Sequence, residues 1–208
     1  MSFYHSAAQR RTGYSTKALT PVVSPVTTQE LADWIRVDAT DPVLPGLLIA
    51  ATSYVIERLQ SELMNRARVV YYQDWPLVRR NYGGTISRSE AMTQEQIKLP
   101  YSTLVSVEEL KVYGVVTTDY KIQQTTPATI LINNFQYAID SDKVAIECSY
   151  TAGYGVTADD VPEAIKIALT MLAAYMYEHR GSCDAQQAFA MSGAKELLTP
   201  YMNEVVVL

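Results

Sequence analysis

The spacing of hydrophobic residues along the chain changes period twice. Leu31, Trp34 and Ile35 fall on one face of a helix over 28–37. Thr27 and Glu30 have capping-box spacing at its start, and Val26 and Leu31 stand at the two positions of a hydrophobic staple. Asp41-Pro42 then restarts a helix over 42–64, whose stripe runs through Leu44, Leu47, Leu48, Ala51, Tyr54, Val55, Ile56, Leu59 and Leu63. From Arg68 the period becomes two. Strands are predicted at 69–73, 97–100, 105–113, 115–122, 129–132 and 144–150, with a hairpin at Gly114 and a long loop at 79–95.

Helical spacing returns over 162–180, where Ile165, Leu169, Leu172 and Ala173 belong to a helix apolar nearly all round. Such a helix is buried on most sides, so the other elements are expected to pack on it. Gly153 and Gly155 supply the exit from the last strand. Asp159 or Asp160 is the expected cap, Pro162 lies at the first turn, and Gly181 follows the end. A last helix, 184–199, opens on Asp184 and is closed by Pro200. The predicted class is α+β: a mainly helical core of about four helices with an inserted antiparallel β region, 67–150. An extended N-terminal arm, 1–27, and a C-terminal tail, 202–208, flank a single domain over 28–201.

Charge sharpens this picture. The chain of 208 residues carries −5, which argues against wrapping nucleic acid in basic surface. Residues 1–29 hold no acid but contain Arg10, Arg11 and Lys17, so the remainder carries −8. The arm, with Pro21 and Pro25, reads as extended and poorly ordered by itself. Fifteen tyrosines stand against three phenylalanines, which suits wet contact surfaces or half-exposed sheet positions. At the other end, Met202, Val205, Val206, Val207 and Leu208 read as a strand seeking a partner, or as a tail folded back on its own sheet.

Chemistry is hard to find. His5 and His179 have no metal-ligand spacing around them, and Cys148 and Cys183 read as reduced thiols. Gly83-Gly84 lacks the lysine of a phosphate loop, and Gly153-Tyr154-Gly155 lacks the third glycine of a dinucleotide fingerprint. Glu108-Glu109 and Asp159-Asp160 are adjacent pairs whose side chains diverge. No catalytic, cofactor or metal site is expected, and enzyme activity is not.

Four stretches nevertheless resemble one family: 28–38, 41–57, 97–107, and 150–165 with the ending at Arg180. Tyr150-Thr-Ala-Gly-Tyr-Gly and Val161-Pro-Glu-Ala-Ile are the most specific of them. In order and spacing they resemble the head–tail connector, or head-completion adaptor, proteins of tailed bacteriophages and gene transfer agents. The resemblance implies a virion neck protein, made in the host cytoplasm, that forms a ring with itself, usually twelvefold. Such a ring binds the portal protein, continues the DNA channel without sequence-specific binding, and carries the next neck or tail protein. Neither a membrane nor a cofactor is implied. On that footing Met202 and 205–208 are candidates for portal docking by strand addition. Tyr4, Arg10, Arg11, Tyr14 and Lys17 are candidates for contact with a neighbouring subunit or neck component. The alternative is a nucleic-acid-binding packaging factor resembling a small terminase subunit, although no long helix is basic.

Overall fold

The computed structural model describes residues 14–73, 95–101, 103–125, 127–132, 144–181 and 184–202. Two hydrophobic clusters organise them. The first is helical and is centred on α3 (Glu163–Glu178), which packs against α1 (Thr28–Ile35), α2 (Leu44–Leu59), α4 (Ala185–Met191) and α5 (Ala194–Leu198). Ile165, Ala168, Leu169, Leu172 and Ala173 of α3 are all buried there with Leu48, Val55 and Leu59 of α2. A helix apolar round most of its circumference needs neighbours on most sides, and this one has them, with Glu163 and Ile167 left exposed.

The second cluster lies between two antiparallel sheets. A five-stranded sheet runs in the order β1 (Tyr14–Ala18), β2 (Arg66–Tyr72), β8 (Ile146–Ala152), β4 (Leu104–Val112), β5 (Val115–Val116). A three-stranded sheet runs β3 (Glu95–Lys98), β7 (Thr129–Ile132), β6 (Tyr120–Gln123). Val70, Leu110, Val112, Ile146 and Cys148 of the first sheet share a core with Ile97, Ile130 and Ile132 of the second. Period-two alternation in β8 puts Ile146, Cys148, Tyr150 and Ala152 inside and leaves Glu147, Ser149 and Thr151 on the outer face.

Several boundaries differ from those predicted. Five α-helices are described rather than about four, because the last breaks at Gly193, which takes φ +80 at the entry to α5. A side chain there would need a left-handed backbone and would also press on the Met171 methyl. The 42–64 helix spans only Leu44–Leu59. Asp41 turns its carboxylate to the Val43 N–H and the Tyr177 hydroxyl, so Pro45 rather than Pro42 occupies the first turn. Gln60 then closes the helix in a left-handed conformation. The 28–37 helix likewise stops at Ile35, with Arg36 left-handed, and the 162–180 helix stops at Glu178. Neither Asp159 nor Asp160 caps α3: Asp160 accepts from the Thr157 N–H and hydroxyl and closes a separate one-turn helix.

Two further differences concern strands. Part of the predicted arm is a strand, because Tyr14, Thr16 and Ala18 alternate with Ser15 and Lys17 and the free edge of β2 pairs with them. The expected 105–122 hairpin turns at Tyr113-Gly114 but has only Val115–Val116 as its return strand. Tyr120–Gln123 crosses to the other sheet and pairs with β7.

A buried ion pair joins the clusters. Glu62 follows α2 and is 1% exposed; its carboxylate meets the Arg68 guanidinium of β2 at 2.5 Å and Arg66 at 3.4 Å. The Arg68 guanidinium lies 3.6 Å from the ring centroid of Tyr101, and its other arm donates to the Thr16 hydroxyl of β1. Tyr101 donates in turn to Glu57, and burial with that bond pushes its phenol up to about 12. Gly153, at φ +149, lets the end of β8 pass the Met64-Asn65 backbone, where a Cβ would sit 2.5 Å from main-chain atoms.

Two expectations follow for urea unfolding. Glu62→Gln strands a buried guanidinium and is expected to cost about 3–5 kcal/mol, more than the double change Glu62→Leu with Arg68→Met. Independent, additive costs would show the two charges to be uncoupled. Gly153→Ala is expected to cost roughly 3 kcal/mol, since backbone rather than a movable side chain blocks the Cβ.

Candidate interaction surface

Helix α1 has only eight residues, and its capping box pins its start: the Thr27 N–H donates to Glu30 at 2.6 Å and the Glu30 N–H donates back to the Thr27 hydroxyl. The Thr27 N–H, and after it the Thr27 hydroxyl, which also donates to the carboxylate at 2.8 Å, hold the Glu30 carboxyl below the usual glutamate range. The box is therefore complete above the ordinary glutamate pKa and weakens as pH falls through the lowered one. Two turns can bury one narrow face. Leu31 and Ala32 take it, and Trp34 is left at the rim, 55% exposed.

Trp34 opens a groove between α1 and α3. Val26, Ile167 and Thr170 line it with Trp34, and Glu30, Glu163 and Lys166 complete it, around a volume of about 150 Å³. Lys166 bonds Glu163 at 2.7 Å, which raises its pKa above the ordinary lysine value, and it also feels Asp159 and Glu30. Two lining carboxylates, Glu30 and Glu163, thus face one ammonium, beside the apolar Val26, Trp34 and Ile167.

Two other faces are exposed. On α2, Val43, Pro45, Gly46, Ile49 and Ala50 form an uncharged stripe, with no ionisable residue between Asp41 and Glu57 other than Tyr54. The exposed side of the five-stranded sheet sets paired charges among exposed Val105, Val115 and Val116. Lys111 bonds Glu109 at 2.5 Å and lies 3.6 Å from Glu147, and the Thr151 hydroxyl donates to Glu108.

The residues singled out from sequence are dispersed. Tyr14 and Lys17 lie in β1, with the Tyr14 ring 5.6 Å from Tyr72 and Lys17 exposed opposite Val69. Met202 is half-buried against the helical core and donates its N–H to Leu198. Gly153, Gly155 and Pro162 occupy the connection between β8 and α3. Tyr4, Arg10, Arg11, Val205, Val206, Val207, Leu208 and Cys183 lie outside the described residues, as does the predicted loop from 79 to 94. Sequence reasoning placed Trp34 in the core with Leu31; the shortness of α1 was the available signal that it would not fit. Cys148 is buried and its thiol is pushed up to about 12, so it is a packing residue rather than a nucleophile. Among the described residues, no three His, Cys, Asp or Glu converge as metal ligands.

Because Trp34 sits at a rim, Trp34→Ala is expected to cost no more than about 1 kcal/mol in urea unfolding. Leu31→Ala in the same helix is expected to cost 2–5 kcal/mol or so. A Trp34 cost matching that of Leu31 would return the indole to the core.

No protein-family model matches the chain, and no curated protein matches it. Solved structures do. A chain from the neck of an empty gene transfer agent particle, computed with C6 symmetry, superposes with a TM-score of 0.68 at 19% identity, covering 93% of this chain and 97% of that one. A chain from the virion of a native gene transfer agent particle gives 0.66 at 18% identity, covering 92% and 97%. One from the neck of a native particle, computed with C12 symmetry, gives 0.62 at 19%, covering 92% and 97%. Over nearly its whole described length, then, this α+β chain has the fold of chains found in gene transfer agent necks.

Proposed function

We propose that this protein is a structural component of a virion neck: a connector that forms a ring below the portal, extends the DNA channel and carries the next neck or tail protein. The observation that carries this reading is the fold likeness, which spans 92–93% of this chain and 97% of each neck or virion chain. Two of those structures were computed with sixfold and twelvefold symmetry, and a closed ring of this chain is read from that likeness. A ring needs two different faces on each subunit. The uncharged stripe of α2 and the acidic groove beside Trp34 are two such faces, unlike in chemistry. A net charge of −5 suits a channel that lets DNA slide, since tight phosphate contacts would hold it. Residues 205–208 dock on the portal by strand addition, four aliphatics supplying alternate side-chain anchors.

Negative-stain electron microscopy of the full chain mixed with its portal is expected to show rings capping the portal vertex. Deleting residues 205–208 is expected to abolish that capping while leaving thermal unfolding unchanged. Normal capping by the truncated chain would remove the tail from the interface, and absence of capping by the full chain would overturn the connector reading.

A further inference from the structure

We propose that the groove between α1 and α3 receives residues 1–13 of a second copy of this chain, so that neighbouring subunits are joined by exchanged N-terminal segments. The second copy rests on the ring reading above; the chemistry of the groove does not.

Three observations converge. A tryptophan 55% exposed beside Ile167, itself 36% exposed, is apolar surface placed where a partner can cover it. Buried tryptophans are among the strongest anchors of protein interfaces. Glu30 and Glu163 line the groove with Lys166, a net negative lining that favours a basic occupant. Residues 1–13 have that composition. They contain Phe3, Tyr4, His5, Arg10 and Arg11 and no acid, and the first acid of the chain is Glu30. An arginine can lie over the Trp34 face while its neighbour forks onto a carboxylate.

Direction selects a second copy over the same one. In β1, Ala18 pairs with Arg68, the residue bound to Glu62 beneath α2, whereas Tyr14 pairs with Tyr72 at the opposite end of β2. The chain before Tyr14 therefore leaves the sheet at the end remote from its own helices. To reach its own groove it would have to double back along β1. Thirteen residues extend to roughly 44 Å, and doubling back would use about 17 Å of that before the helical core is crossed.

Two full-chain variants, both carrying Cys183→Ser, separate the possibilities. One adds Ala8→Cys and the other Ile167→Cys, and they are mixed under mild oxidation. A disulfide-linked pair of chains is expected, reduced roughly tenfold when the first variant also carries Arg10→Glu and Arg11→Glu. Absence of a link between the two variants would overturn the exchange, as would a link indifferent to the charge reversal. In parallel, a synthetic peptide of residues 1–13 is titrated into the full chain bearing Trp75→Phe, with Trp34 emission as the readout. Saturable quenching that weakens with added salt and is lost with the Arg10→Glu, Arg11→Glu peptide is expected. No response up to millimolar peptide by the unassembled chain, whose grooves hold no neighbour's segment, overturns the proposal. Binding by a chain that never forms rings would instead leave the groove chemistry intact and overturn the connector reading and the exchange between copies.

Discussion

The buried pair of Glu62 and Arg68 is the contact on which the arrangement of this molecule depends. Removing two charges from water carries a penalty that their mutual attraction offsets only when the remaining hydrogen-bonding groups are satisfied. Here they are. Arg68 reaches Glu62, the Thr16 hydroxyl and the Tyr101 ring, and Glu62 also receives Arg66. Those partners come from the segment after α2, from β1, from β2 and from the turn before β4. One guanidinium therefore ties the helical core to the five-stranded sheet and both to the crossover between sheets. The close approach at Gly153 follows from that geometry, because β8 must pass the same segment to reach α3.

Tyrosine does inside this protein what its abundance suggested it would do outside. Tyr72 donates to the Lys98 carbonyl and Tyr150 to the Pro100 carbonyl, so each ring fills the core between the sheets while its hydroxyl satisfies main chain on the opposite layer. Phenylalanine would fill the same volume and leave those carbonyls unpaired. Burial raises both phenols well above the ordinary tyrosine value, so they remain donors at any physiological pH. The outer sheet face, by contrast, carries ion pairs and hydroxyl bonds of its own. Apolar surface is exposed on α2 and beside Trp34, and also at Val105, Val115 and Val116 of the sheet, and the neck reading gives those faces a use.

Much of this was legible in order along the chain. The Thr27–Glu30 box, the Asp184 cap, the enclosed character of 163–178 and the alternation of 146–152 are local properties. They depend on spacing within one element, and spacing is what a sequence displays. The insertion of strands between two helices was legible for the same reason, as was the resemblance to connector proteins.

What tertiary structure decided were the partnerships. Tyr14–Ala18 is too short and polar to declare itself a strand; the open edge of β2 makes it one. Tyr120–Gln123 looked like the return of a hairpin and instead belongs to the other sheet, because a turn specifies reversal but not which edge the chain then joins. Trp34 had helical register with Leu31, yet α3 offered room for one narrow face only. No spacing within one element pairs Glu62 with Arg68; the two layers closing over them do. Periodicity records which side of an element is apolar. It cannot record how much surface the neighbouring element will cover, since that depends on residues distant in the chain.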